Sequence, residues 1–161
     1  MLILSWDEEN NAKSYFFKAA EIAKNATCER SKCWCVIVKN WKIIWTWFNS
    51  PAKWLESQRR CRNDKDLYNK KVTDKTCCIH AEQRAIIDSL KNFPDEIEWA
   101  DLYFTRIDQN WEIKKSWEPY CTICSKFALE SWIKYFFLRQ GKWIIKYDTE
   151  EYNDISYKYN W

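Results

Sequence analysis

Residues 35–44, Cys35-Val36-Ile37-Val38-Lys39-Asn40-Trp41-Lys42-Ile43-Ile44, place two β-branched runs on either side of a two-residue break. This pattern predicts an antiparallel hairpin with strands over about 34–39 and 42–48, closing at Asn49-Ser50-Pro51. Before it, Tyr15, Phe16, Ala19, Ile22 and Ala23 recur at three- and four-residue spacing, so 7–24 reads as an amphipathic helix that Ser5 or Asp7 can cap. After it, 52–76 has no clear period and is basic. Lys53, Arg59, Arg60, Arg62, Lys65, Lys70, Lys71 and Lys75 outnumber Glu56, Asp64, Asp66 and Asp74 there. Loops of that length tend to be functional.

Further along, 81–90 has Ala81, Ala85, Ile86 and Leu90 on one helical face, and 99–107 alternates like a strand. A turn-rich connection over 108–120 leads to a short helix at 121–130 and a strand at 133–138. A short apolar strand at 143–145 and an acidic helix at 149–157 complete the chain. Strands alternating with helices predict an α/β fold, a three-layer α/β/α arrangement around a central mixed sheet. With no internal repeat or linker, 1–161 is expected to be one domain. It would carry a basic insertion at about 50–76 and a C-terminal extension at about 140–161.

Composition removes several function classes. Of 161 residues, 47% are apolar and 30% charged, which is ordinary for a globular protein and excludes disorder. No apolar run approaches the roughly 18–20 residues that span a bilayer. The opening residues, Met1-Leu2-Ile3-Leu4-Ser5-Trp6-Asp7, lack the basic start and long apolar stretch of an export signal, so a cytoplasmic location is expected. A net charge of +3, from 26 Lys and Arg against 23 Asp and Glu, is too balanced for a nucleic-acid binder.

The tryptophans are abnormal. There are 12, beside a single Gly where average usage would give about 7%. Several stand where a chain wants glycine: Asn40-Trp41 in the hairpin break, Asn110-Trp111 in a turn, and Trp132 just past a helix end. A Trp-rich core is one explanation. The reading that fits the turns is a gene whose UGA codons mean glycine, rendered here as Trp. Trp34, Trp41, Trp45, Trp47, Trp54, Trp111, Trp117 and Trp132 are then the disguised glycines, with Trp6 and Trp161 as true tryptophans.

Chemistry concentrates in two segments. The only histidine, His80, lies in Cys78-Ile79-His80-Ala81-Glu82, and the only Cys-x-x-Cys is Cys121-Thr122-Ile123-Cys124, preceded by Glu118-Pro119-Tyr120. Each segment opens a predicted helix, whose positive end favours thiolates. One imidazole and two thiolates supply three ligands for a catalytic Zn2+, with the fourth position for water. Bound zinc brings the pKa of that water to about 7. Glu82, two residues past His80, can face the open position and move protons. The plainer alternatives are a core histidine beside a reduced Cys pair, and a Glu82 favoured only by the helix dipole.

His80-Ala81-Glu82 with Pro119…Cys121-Thr122-Ile123-Cys124 resembles the zinc-dependent nucleoside and nucleotide deaminases, whose motif is H-x-E…P-C-x-x-C. The resemblance runs from about 7 to 138 and is greatest to the deoxycytidylate (dCMP) deaminases, in the hairpin with Trp read as Gly and in the segments 79–87 and 124–133. The long basic stretch between Asn49 and His80 fits that group better than the tRNA adenosine deaminases. His80 in place of Cys separates it from the small cytidine deaminases. One departure is Tyr120, which intervenes between Pro119 and Cys121.

This resemblance implies a cytidine-deaminase-like fold and hydrolysis of dCMP to dUMP with release of ammonia. Glu82 would carry protons to N3 and the leaving group. It also implies substrate contacts at Asn49 and Ala81, a small nucleotide as partner and a homo-oligomer, with membrane and nucleic-acid partners not expected. Lys53, Arg59, Arg60 and Arg62 are candidates for a phosphate clamp, against a solvated loop. Two rival functions are a nucleic-acid-editing deaminase and a non-catalytic zinc-stabilised binding module. Cys28, Cys33, Cys35, Cys61, Cys77 and Cys78 read first as buried packing. A second, structural zinc on Cys61 with Cys77 or Cys78 is the weaker reading, since no second histidine exists. The tail tyrosines Tyr147, Tyr152, Tyr157 and Tyr159 read as packing or a subunit interface.

Overall fold

The computed structural model describes residues 2–67 and 78–159. Lys70, Lys71, Asp74, Lys75, Cys77 and Trp161 lie outside the described residues. In chain order the elements are β1 (Leu2–Ile3), α1 (Trp6–Ala23), β2 (Lys32–Lys39), β3 (Lys42–Phe48), β4 (Ser50–Pro51), β5 (Cys78–Ile79), α2 (Ala81–Asn92), α3 (Pro94–Ile97), β6 (Asp101–Ile107), β7 (Ile113–Lys114), α4 (Thr122–Glu130), β8 (Tyr135–Gln140), β9 (Trp143–Asp148) and α5 (Thr149–Lys158). Three short 3-10 turns, Ala52–Trp54, Glu56–Gln58 and Lys65–Leu67, punctuate the basic stretch.

The hairpin forms the start of a mixed sheet ordered β1-β9-β8-β6-β2-β3, with β7 also pairing β6. Among these pairs only β6 and β8 run parallel, because α4 lies in the connection between them and returns the chain in the same direction. β4 and β5 make a separate two-stranded pairing, Ser50 opposite Ile79 and Pro51 opposite Cys78.

Period-two alternation divides the core into two layers. Trp34, Val36 and Val38 of β2 join Tyr103, Phe137 and the α1 residues Ala12, Phe16 and Ala19 on one side of the sheet. Cys33, Cys35 and Ile37 join Leu102, Phe104, Phe136 and Leu138 on the other, where Ala85 of α2, Ala128 of α4 and Tyr152 of α5 cover them. The result is the α/β/α arrangement with a mixed sheet that the sequence predicted. α1 begins at a capping box: Ser5 Oγ accepts from the Glu8 N–H at 3.4 Å, and Glu8 Oε2 accepts from the Ser5 N–H at 3.1 Å.

Several boundaries differ from expectation for local reasons. The strand expected at 133–138 starts at Tyr135, because Ile133 closes α4: its N–H donates to Ala128 O at 3.0 Å while Trp132 N–H donates to Leu129 O at 3.0 Å. These paired bonds are a Schellman motif. The strand expected at 143–145 is Trp143–Asp148, paired between β8 and β1, so the tail belongs to the sheet. Lys146 and Asp148 masked its length in an apolar pattern. Two-residue β1 and β7 are too short to leave a period. Tyr147 and Tyr152 are buried, in line with the packing role read for them.

Backbone conformation singles out the tryptophans. Among the described residues, non-glycine positions with positive φ are Asn40 (48°), Trp41 (66°), Lys53 (50°), Trp54 (58°), Trp99 (60°), Trp111 (66°) and Trp132 (57°). Four of the eight suspected positions are in this set, and Trp99 is one the sequence reading missed. Trp34, Trp45, Trp47 and Trp117 are not left-handed. However, Trp34, Trp45 and Trp47 bury indole N–H groups with no hydrogen-bond partner among the described residues.

Candidate active site and metal centre

Two helix starts on the same side of the sheet bring the distant motifs together. β5 delivers the chain to His80, the N-cap of α2 (φ −63°, ψ 150°), whose backbone N–H donates to Gln83 Oε1 at 3.0 Å. Cys121 is the N-cap of α4, and its sulfur accepts from the Cys124 N–H at 3.4 Å. His80 Nδ1 then lies 3.2 Å from Cys124 Sγ and 3.5 Å from Cys121 Sγ, with the two sulfurs 3.2 Å apart. The donor set, one imidazole nitrogen and two sulfurs all within 4.8 Å, fits a zinc ion held by three protein ligands.

The electrostatics agree with that set. The hydrogen bond shared with Cys124, reinforced by His80, draws the Cys121 thiol down to about 4 against its burial. Burial pushes the Cys124 thiol well above the ordinary range. Glu82 is buried in the first turn of α2. Desolvation lifts its carboxyl to about 7, although the charge of His80 opposes the rise. Ala81, between His80 and Glu82, is fully buried.

The remaining predicted residues are positioned as follows. Asn49 is buried, and its amide bridges backbone: Oδ1 accepts from the Cys33 N–H at 2.9 Å and Nδ2 donates to Ser31 O at 2.8 Å. Arg59 donates to both oxygens of Glu56 at 2.6 Å and to Thr27 O at 2.6 Å. Arg62 pairs with both oxygens of Glu29 at 2.8 Å, and Arg60 donates to Ser57 O and Arg59 O. Lys53 occupies a left-handed turn. Arg59 and Arg62 are thus neutralised by carboxylates and brace the basic loop against 27–29, a use that composition alone does not reveal.

Sequence reasoning missed three further features in whole or in part. Arg84, buried on α2, donates through Nη2 to Pro51 O at 3.1 Å and so ties the site helix to the Asn49 segment. A cleft of about 480 Å3 is lined by Ser31, Lys32, Arg106, Lys114 and Trp117 among others. Burial raises the Cys33 thiol, and there Glu82 adds to the rise while Arg106 opposes it. The third feature is a second sulfur group. Cys28, Cys61 and Cys78 are buried with their sulfurs within 4.8 Å of one another. Cys28 is the member no motif pointed to. Cys33 and Cys35 are core residues whose thiols burial pushes up, Cys33 to about 12, as packing predicts.

The sequence profile described as the cytidine and deoxycytidylate deaminase zinc-binding region matches residues 9–139. No curated protein matches the sequence. Among solved structures, the chain is similar to dCMP deaminase from the cyanophage S-TIM5 in apo form. The TM-score is 0.58 at 17% identity, covering 96% of this chain and 94% of that one. The same enzyme in complex with dCMP and dUMP gives a TM-score of 0.56 at 19% identity, over 83% and 81%. At these identities the likeness is one of fold.

Proposed function

Because the chain belongs to the cytidine and deoxycytidylate deaminase zinc-binding family, and so is a hydrolytic deaminase, we propose that it converts dCMP to dUMP and ammonia. The observation that carries this reading is the convergence of His80, Cys121 and Cys124 within 4.8 Å, with Glu82 buried two residues from the imidazole. His80, Cys121 and Cys124 would hold the zinc, which when bound supplies Lewis acidity toward water and the ring.

The rest falls to the chain's own groups. Glu82 takes a proton from the attacking water and hands it to N3 of cytosine. It then carries the second proton to the departing amino group, so water adds at C4 and ammonia leaves. Burial of Glu82 keeps bulk water from competing for that proton. Asn49 and Ala81 border the site as substrate contacts, with Asn49 fixing the strand entry at Ser31–Cys33 that the sugar would lie against. The nucleotide phosphate goes to the basic cleft. Arg106, Lys32 and Lys114 line it, and their charge is less committed to carboxylates than that of Arg59 and Arg62.

The test is ammonia release from zinc-loaded protein given cytidine, deoxycytidine, their monophosphates and adenosine. Turnover greatest on dCMP is expected, and no release from any cytosine compound rejects the proposal. Glu82→Gln should lower turnover by a factor on the order of 10²–10⁴ or more while zinc content is unchanged. A variant with parental activity would remove Glu82 from the chemistry.

A further inference from the structure

We infer that the cell builds glycine at positions 41, 54, 99, 111 and 132, reading as glycine a UGA codon that the sequence renders as tryptophan. All five residues hold φ between 57° and 66°. In that region an L residue brings its Cβ against the following carbonyl oxygen, and a bulky side chain is a true outlier. Tryptophan supplies 12 of the 161 residues but five of the seven left-handed non-glycine positions among the described residues. The other two, Asn40 and Lys53, each stand directly before one of the five. Burial gives no competing reason for an indole, since the five are 46–67% exposed.

Each setting is one that glycine fills. Asn40-Trp41 joins β2 to β3, with Lys39 paired to Lys42, and both turn residues are left-handed, as a type I′ turn requires. Lys53-Trp54 repeats that conformation, closed by the Leu55 N–H donating to Ala52 O at 3.0 Å. Trp111 ends the three-residue loop between β6 and β7. Its N–H donates to Asp108 O at 3.3 Å, and the Asp108 N–H donates to Glu112 O at 3.0 Å. Loops of this length put a left-handed glycine in that last place. Trp99 and Trp132 each stand one residue past a helix cap, Glu98 of α3 and Ser131 of α4, at the C′ position where glycine ends helices. The chain's one glycine, Gly141, has φ 69° in the β8–β9 turn and shows the same usage.

The assignment reaches the cleft proposed for the phosphate. Lys32 Nζ lies 4.0 Å from the centre of the Trp111 ring, an attraction that glycine cannot exert. Glycine at 111 therefore frees the Lys32 charge for an anion in the cleft that Lys32 lines. This consequence rests on the phosphate lying there, which Arg106→Ala tests by itself.

Peptide mass spectrometry of the protein from its source cells should give the glycine mass at all five positions and the tryptophan mass at Trp6, which opens α1. Tryptophan at the five overturns the inference, and so do UGG codons there. In recombinant protein, single Gly and Ala variants at each of the five both remove the indole, so their difference reads the backbone. The Gly variant should melt higher than the Ala variant by about 2–4 °C. Ala variants that melt as high as the Gly variants overturn the backbone argument. Trp111→Gly should also raise the ratio of kcat/KM on dCMP to that on deoxycytidine about two- to fivefold. An unchanged ratio, with Arg106→Ala still lowering it, overturns the role given to Lys32 and leaves the glycine masses to stand alone.

Discussion

At the scale of single residues, buried charge decides behaviour. Glu82 and Asp101 are both carboxyls lifted by desolvation, Glu82 to about 7 and Asp101 to about 6, but they differ in use. Glu82 stands beside the group of His80, Cys121 and Cys124. Asp101 sits at the start of β6, where Lys146, Lys134 and Lys39 only partly offset its burial, and it raises the buried Tyr15 and Tyr103 in turn. A folded-state pKa above the 3.8 of an unperturbed aspartate means the folded protein binds the proton more tightly than the unfolded chain. Asp101 therefore favours folding below pH about 4, and that contribution is lost as pH rises through about 6. Asp101→Asn should raise stability at pH 7 by about 1–2 kcal/mol, and by much less at pH 4, in urea titrations at the two pH values. Equal effects at both would show that the charge is not the cause.

Elements turn such residues into a site. α2 and α4 each present a candidate ligand residue at the N-cap, and Arg84 locks α2 to β4 through the Pro51 carbonyl. Arg84→Ala leaves that acceptor unsatisfied and frees the Asn49 segment. A loss of about 1–3 kcal/mol in chemical denaturation is expected, with a raised KM. The end of β6, β7 and the start of β2 supply Arg106, Lys114 and Lys32 to the cleft. Arg106→Ala should raise KM for the nucleoside monophosphate roughly tenfold while leaving the nucleoside unaffected, since one charge-assisted contact is worth about 1.5–3 kcal/mol. Equal losses on both substrates would move the phosphate elsewhere. The arginines of 59–62 show why a basic run misleads: positive charge in sequence says nothing of the carboxylates that folding sets against it, here Glu56 and Glu29.

For the whole molecule, the group of His80, Cys121 and Cys124 joins chain segments far apart in sequence, so zinc held there would link metal binding to folding. Dialysis against a strong zinc chelator should lower the melting temperature as well as abolish turnover, and added zinc should restore both. Unchanged melting would confine the metal to chemistry. Much of this architecture was legible in the sequence. The hairpin at 35–44, the periodic faces of α1 and α2, and the H-x-E and C-x-x-C spacings are local patterns, and local sterics and side-chain alternation produce them directly. That left-handed turns strain a bulky residue was equally legible at Trp41, Trp111 and Trp132, whereas Trp99 lies beyond a one-turn helix that leaves no periodic mark. What only the tertiary structure decided is which distant groups meet: Cys28 with Cys61 and Cys78, Arg59 with Thr27, Arg62 with Glu29, Arg84 with Pro51, and the place of β9 inside the sheet. Those meetings depend on how layers pack and how loops close over long separations, and no short window of residues encodes them.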